Sequence, residues 1–293
     1  MNLVLTVGEV VAPVFILAAI GFVWVKMGFE YELEFVTRMS MTLGVPCLIF
    51  TSLMRTEIDP TALTAVFMAA AVAYAGVTIT MLALALLLRL DIRTYLAPLI
   101  FGNTGNLGLP LALFAFGDEG LGYAVVIFAV MAVYSFTAGV WIVSGGGSLT
   151  RVLREPMVAG TLLGALFLWQ GWETPVFLTN TLALIGQLAI PLMLITLGVA
   201  VARLAPQSFV RPTLLSVVKA GACIGIAVVV GRTFDLPPVA FAVLVIQVAT
   251  PVAVTSYLLA AKYGADSDAV ASLVVVSTLA SVIYLPLVLG WTI

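Results

Sequence analysis

Ten apolar runs, each near the ~20 residues a helix needs to cross a bilayer, fill this chain. They cover roughly residues 4–26, 36–54, 61–88, 95–116, 121–143, 155–170, 176–202, 212–231, 238–260 and 268–291. Lipid offers no partner to a backbone N–H or C=O, so such runs are expected to be helices. We number them spans 1 to 10 and expect an all-α polytopic membrane protein. Composition agrees: 63% of the 293 residues are hydrophobic and 9% are charged, unlike any soluble domain. The stretch from Leu3 has no basic residue ahead of it and reads as a first span rather than a cleaved signal. Histidine is absent, which removes the commonest general base and metal ligand. Cys47 and Cys223 lie in apolar runs and read as small core residues. Without zinc-ligand spacing, an HExxH motif or paired intramembrane aspartates, the chain reads as no enzyme, and no cofactor or metal is expected. A net charge of −2 gives no nucleic-acid signal.

Basic residues set the orientation. The loops joining odd to even spans carry Lys26, Arg38, Arg89, Arg93, Arg151, Arg154, Arg203, Arg211 and Lys262, against Arg55 and Arg232 on the other side. The positive-inside bias puts the first set in the cytoplasm and both termini outside. Glu57, Asp59, Asp118, Glu119, Glu173 and Asp235 then lie outside. The expected location is the cell membrane, with the bilayer as surroundings.

The chain divides near its middle. Residues 144–150 include Ser144-Gly145-Gly146-Gly147-Ser148, a flexible linker. Before it, residues 1–143 form a first repeat; after it, residues 151–293 form a second. Pro13 precedes Gly21 by eight, and Pro156 precedes Gly164 by eight. Val45-Pro46-Cys47-Leu48-Ile49-Phe50 resembles Ile190-Pro191-Leu192-Met193-Leu194-Ile195. Tyr134 precedes Trp141 by seven, as Tyr284 precedes Trp291. Five spans per repeat is an odd number, so the second copy is inverted in the membrane, as in many secondary transporters.

Two spans cannot be continuous helices. Span 4 holds Phe101-Gly102-Asn103-Thr104-Gly105-Asn106-Leu107-Gly108-Leu109-Pro110. Glycine costs about 1 kcal/mol against alanine in a helix interior, and proline lacks an N–H and clashes with the turn before it. Span 9 holds Gln247-Val248-Ala249-Thr250-Pro251 at the matching place of the other half. Interrupted spans at matched positions point to a transporter's binding site. Each half-helix that begins at a break presents free N–H groups and a partial positive end. Gly102, Gly105, Gly108, Pro110 and Pro251 are the crossover or hinge candidates. Asn103, Thr104, Asn106, Gln247, Thr250 and Pro251 are the substrate candidates, and a carboxylate is the ligand class this suits. The alternative is that Pro251 only kinks a helix and the glycines only allow close packing.

Asn103 to Leu111, followed by Phe116-Gly117-Asp118, resembles the helix-4 signature of the auxin efflux carrier family, which includes plant auxin exporters and bacterial permeases for small carboxylates such as malonate. Gln247 to Pro251, followed by Ala261-Lys262-Tyr263-Gly264, and the Val45-Pro46 step are similar to other parts of that family. The resemblance covers the whole chain. It implies an inverted 5+5 fold like that of sodium/bile-acid symporters. A scaffold of spans 1, 2, 6 and 7 would face a transport domain of spans 3–5 and 8–10. Spans 4 and 9 would cross at their breaks, with Asn103 and Pro251 at the carboxylate. The plant exporters carry a proline just before the asparagine, where this chain has Gly102. They also carry a long cytoplasmic loop in place of the short glycine linker, so a bacterial inner-membrane permease is the better match. The resemblance leaves a homodimer open.

Charges at membrane depth are functional suspects. Glu9 in span 1 reads as an interfacial carboxylate or a coupling group. Lys219 in span 8 reads as a snorkelling side chain or as a cation on the substrate path. Ser52, with Thr51 and Thr196, could line the scaffold side, or their hydroxyls could bond back to their own helices. The leading expectation is a secondary carrier of small organic anions. A sodium-coupled symporter of the bile-acid type and a membrane sensor are the alternatives. No carboxylate sits at the breaks to favour sodium, and no signalling domain is attached to favour a sensor.

Overall fold

The computed structural model describes residues 3–55, 58–145, 156–204, 206 and 209–292. Glu57, Arg151, Arg154 and the linker beyond Gly145 lie outside the described residues. Among the described residues every element is helical, apart from one antiparallel bridge between Gly102 and Val252. In order they are α1 (Leu3–Lys26), α2 (Leu33–Met39), α3 (Val45–Arg55), α4 (Pro60–Leu87), α5 (Ile92–Ile100), α6 (Leu109–Tyr134), α7 (Val140–Ser144), α8 (Pro156–Gln170), α9 (Val176–Arg203), α10 (Val210–Thr233), α11 (Pro238–Val248), α12 (Val254–Tyr263) and α13 (Ser267–Thr292). Wider π-type turns at Ser40–Gly44, Thr104–Gly108 and Ser135–Gly139 lead into α3, α6 and α7.

Among the described residues, seven runs are long and apolar enough to cross a membrane: Val7–Lys26, Leu33–Arg55, Thr61–Leu87, Thr104–Ser144, Val176–Arg203, Val210–Thr233 and Ser267–Thr292. The run Thr104–Ser144 is 41 residues long, twice what one crossing needs. It is not straight. Gly117 (φ 62, ψ −151) leaves helical geometry inside α6, in a backbone region that is essentially open to glycine alone. Helix starts follow their caps. Asp59 accepts from the Thr61 amide at 2.7 Å ahead of α4, whose first residue is Pro60. Asp91 accepts from the Thr94 amide at 3.0 Å ahead of α5. Gly264 ends α12 in the left-handed region (φ 66).

The helices pack in two groups. α1 runs along α9, and α3 lies against α8 and α9. Small residues let these backbones touch: a Cβ on Gly21 would run into the Ile195 carbonyl, and one on Gly198 into that of Ala18. In the second group α4, α6, α10, α11 and α13 pack on one another, and α5, α7 and α12 meet at one end. Arg93 ties that end, donating from Nε to Val143 O (3.1 Å) and from Nη2 to Tyr263 O (2.9 Å). The groups touch where α9 meets the Thr104–Gly108 turn, where α1, α3 and α8 meet α6, and where α1 meets α13.

Candidate functional site

The residues read as span 4 are split between α5 and α6, and those read as span 9 between α11 and α12. Between each pair part of the chain is extended. Phe101 has φ −90, ψ 119, and Ala253 has φ −67, ψ 136. The two extended pieces pair in opposite directions at Gly102 and Val252. The Asn103 amide donates to Pro251 O at 2.7 Å, and the Ala253 amide to Phe101 O at 3.4 Å. The Ser277 hydroxyl on α13 accepts from the Val252 amide at 3.1 Å, and the Tyr284 hydroxyl donates to Ala249 O at 2.8 Å.

Two glycines make this approach possible. A Cβ on Gly102 would strike Thr250 Oγ1, and one on Gly108 would strike the Gln247 amide group. Thr250 and Gln247 therefore occupy slots that glycine opens in the facing segment. That gives Gly102 a local reason to stand where a larger residue would not fit. Gly105 lies beside Phe128 and Met193, so α9 of the first group reaches the turn. Pro110 sits in the first turn of α6, where its missing N–H costs nothing, and helps start that helix rather than break one.

The crossing is buried and polar. Asn103, Thr104, Asn106, Gln247 and Thr250 are all buried. Asn103 Nδ2, Thr104 Oγ1 and Gln247 Oε1 have no hydrogen-bond partner, which is costly unless something completes them. Asn103 O accepts from the Leu107 and Gly108 amides, while no backbone carbonyl takes the amides of Thr104, Gly105 or Asn106. These are the orphan donors of a helix start, the kind of group beside which an anion is favoured. Thr250 Oγ1 instead donates to Gln247 O at 2.7 Å, and Gln247 Nε2 to Ala124 O at 3.5 Å.

A cavity of about 1110 Å³ lies between the two groups, walled by Thr51 and Ser52 of α3, Leu113 and Phe114 of α6, and Gln187 and Pro191 of α9. Arg55, Asp59, Asp118 and Glu119 also line it. The Thr61 hydroxyl and amide hold the Asp59 carboxyl below the usual carboxylate range. The crossing residues are not on its wall. A second cavity, about 670 Å³, is apolar and bounded by residues such as Phe67, Val133 and Trp169.

The remaining candidates scatter. Ser52 reaches the larger cavity, and so does Thr51, but Thr51 Oγ1 donates back to Cys47 O at 2.8 Å. Thr196 is drawn off to the Tyr31 hydroxyl at 2.7 Å. Glu9 is exposed on α1, away from the crossing residues in sequence and burial. Lys219 corrects an expectation. It does not snorkel: the residue is 2% exposed, on the face of α10 that packs into the protein. Sequence reasoning missed Ser277 and Tyr284 as supports of the crossing. The shared Tyr–Trp spacing was the available signal for Tyr284, while no local pattern marks Ser277.

Over 218 residues the chain is 27% identical to an uncharacterized transporter of Methanocaldococcus jannaschii, covering 66% of this chain and 65% of that protein. Over 193 residues it is 28% identical to an uncharacterized transporter of Methanothermobacter thermautotrophicus, covering 63% of each. The matches thus span just under two thirds of those relatives. The family described as membrane transport protein matches residues 6–148 and again 146–289. The chain belongs to this membrane transport protein family, that of the auxin efflux carriers.

Proposed function

We propose that the protein is a secondary carrier of small organic anions, either auxin-like monocarboxylates or malonate-like dicarboxylates. The carboxylate binds where the two broken spans cross. Asn103 Nδ2 and the free amides of the Thr104–Gly108 turn donate to it, and Thr104, Asn106 and Gln247 complete its surroundings. The observation that carries this reading is a buried crossing with orphan amides and an unpartnered Asn103 amide group, and no cationic side chain among its residues.

Ten spans arranged as two inverted repeats of five fit the same picture. The Asn103→Pro251 and Ala253→Phe101 bonds exchange places under a two-fold operation about the bridge. Tyr134 and Tyr284 lie 150 positions apart, the same offset as Gly102 and Val252. Gly21 packs on Ile195, and Gly164 packs on Leu53 and Phe50; Ile195 and Phe50 end the two similar Pro-containing hexapeptides. Helices α1, α2, α3, α8 and α9 act as the scaffold, and α4–α7 with α10–α13 as the moving part. Alternating access follows when the moving part slides or rocks past the larger cavity. Nine basic residues against two support a cell-membrane protein with both termini outside.

The test is a thermal-shift panel of mono- and dicarboxylates on purified protein, paired with counterflow of a labelled acid in liposomes. One acid is expected to stabilise the protein and to exchange. Asn103→Ala removes one hydrogen bond to a charged group, about 1.5–3 kcal/mol, and is expected to weaken binding by roughly ten- to a hundredfold. Stabilisation that survives Asn103→Ala undiminished moves the site elsewhere. Tight binding without counterflow makes the protein a sensor instead.

A further inference from the structure

The apolar cavity of about 670 Å³ is cut from both helix groups. α3 and α8 supply one side, through residues such as Leu53 and Leu162, and α4 and α6 supply the other, through Phe67 and Ala132. Among the described residues its wall carries no acid, base or amide side chain. Its hydroxyls are already engaged. Thr137 Oγ1 donates to Val133 O at 2.7 Å, the Tyr134 hydroxyl meets Thr78 Oγ1 at 3.0 Å, and neither Thr64 nor Thr161 lacks a partner. An apolar cavity of ~150 Å³ already stays dry and takes up an apolar guest such as benzene. This one is larger, offers water nothing to bond to, and leaves its lining short of packing partners until something apolar fills it.

The cavity is continuous with the surface that meets the bilayer. Phe67, Val133, Leu162 and Trp169 line it and are exposed, on apolar helices. Along α8 the wall runs from Thr161 to Trp169, about 12 Å at 1.5 Å per residue, which fits within one leaflet of a ~30 Å hydrocarbon core. Trp169 stands in the last turn of α8, and a tryptophan at a helix end marks the headgroup level. The other walls run deep: Leu53, Phe128 and Ala132 are 3%, 4% and 4% exposed. They also reach the crossing. Phe128 is the neighbour of Gly105, and the Tyr134 ring stands edge-on to Phe101 with centroids 5.4 Å apart.

We propose that one acyl chain of a bilayer phospholipid occupies this cavity as a resident ligand, with its headgroup at the Trp169 end. The chain fills the space between the walls and backs Phe128 and Tyr134 against the crossing. Because each helix group supplies a wall, the chain lies in the seam between them. Lipid occupancy does not depend on what the crossing binds, so it stands apart from the carboxylate reading.

The experiment uses the full chain in vesicles of phosphatidylcholine that carries a photoactivatable diazirine in one acyl chain, with the labelled residues read by mass spectrometry of peptides. Labelling is expected at Leu53, Phe128 and Ala132, which lipid around the protein does not touch, as well as at the exposed Phe67, Leu162 and Trp169. Ala165→Phe adds bulk to the cavity from α8. It is expected to cut labelling of the three buried residues at least fivefold and to leave that of the exposed ones unchanged. Labelling of the unaltered protein confined to the exposed residues overturns the proposal, whether or not the variant folds. Buried labelling that a folded Ala165→Phe protein retains in full overturns it as well. If buried labelling disappears as protein density in the vesicles rises, the occupant is a second copy of this chain. If it disappears on adding an acid of the panel, the cavity belongs to the substrate. Either result overturns the lipid assignment. Counterflow of a labelled acid in the same vesicles tests the carboxylate reading separately.

Discussion

At the scale of single residues, the crossing is a matter of what glycine leaves out. Gly102 has the Thr250 hydroxyl where its side chain would be. Gly102→Ala is therefore expected to destabilise the protein by about 1–3 kcal/mol, as overpacking does, and to slow counterflow. Combining it with Thr250→Ala should recover part of the loss, because the atom in the way is gone. Combining it with Thr250→Ser should not, because the hydroxyl oxygen stays. Thermal unfolding of the single and double variants reads the coupling; equal losses in both doubles would show that the Thr250 hydroxyl is not the obstacle. Gly102, Asn103 and Pro251 were legible from sequence because glycine, asparagine and proline together cannot continue a helix. The state of Lys219 was not. Whether a lysine two turns into an apolar helix turns inward depends on how α4, α11 and α13 close over it, and no local pattern encodes that.

At the scale of elements, the sequence marked where helices must stop but not how the loose ends would be used. The Gly-rich and Pro-containing breaks were plain. That the two extended pieces would bridge at Gly102 and Val252 is a relation between residues 150 positions apart, invisible to periodicity. Thr51 and Thr196 show the same boundary: their hydroxyls could be placed on α3 and α9, while their partners, Cys47 O and Tyr31, depend on local geometry and on packing. Gly117 was noticed as part of a motif rather than as the bend it makes. Its backbone, φ 62 and ψ −151, is open to alanine only at about 1–3 kcal/mol. Gly117→Ala is expected to lower the Tm by several degrees and to reduce counterflow, since the angle after the bend aims the rest of α6. Gly221→Ala, inside α10 with open space where its Cβ would go, serves as the control and should leave the Tm unchanged or slightly raised. Matching losses for both would argue against a special role of the bend.

At the scale of the whole molecule, the composition alone placed the chain in a bilayer, and the apolar runs matched the ends of α1, α4, α9, α10 and α13 to within a few residues, while α6 runs across the gap expected between spans 4 and 5. The grouping of α1, α3, α8 and α9 apart from the rest came from packing. The carrier reading needs the groups to move relative to one another, and the larger cavity is where that motion can be stopped. Cysteines at Ser52 on α3 and Leu113 on α6, both on its wall, would join the groups when bridged by a cleavable thiol reagent. The background is Cys47→Ala; Cys223 is fully buried and out of the reagent's reach. Counterflow is expected to fall at least tenfold on bridging and to return on reduction; unaltered exchange in the bridged protein would rule out motion across this cavity.

The crossing also has an electrical permanence. Asn103, Thr104, Asn106, Gln247 and Thr250 contain no acid or base, and the amides that flank them do not titrate in water's working range. The protein's half of the recognition is therefore the same at pH 5 as at pH 8. A pH profile of binding becomes, in effect, a titration curve of the carried acid itself.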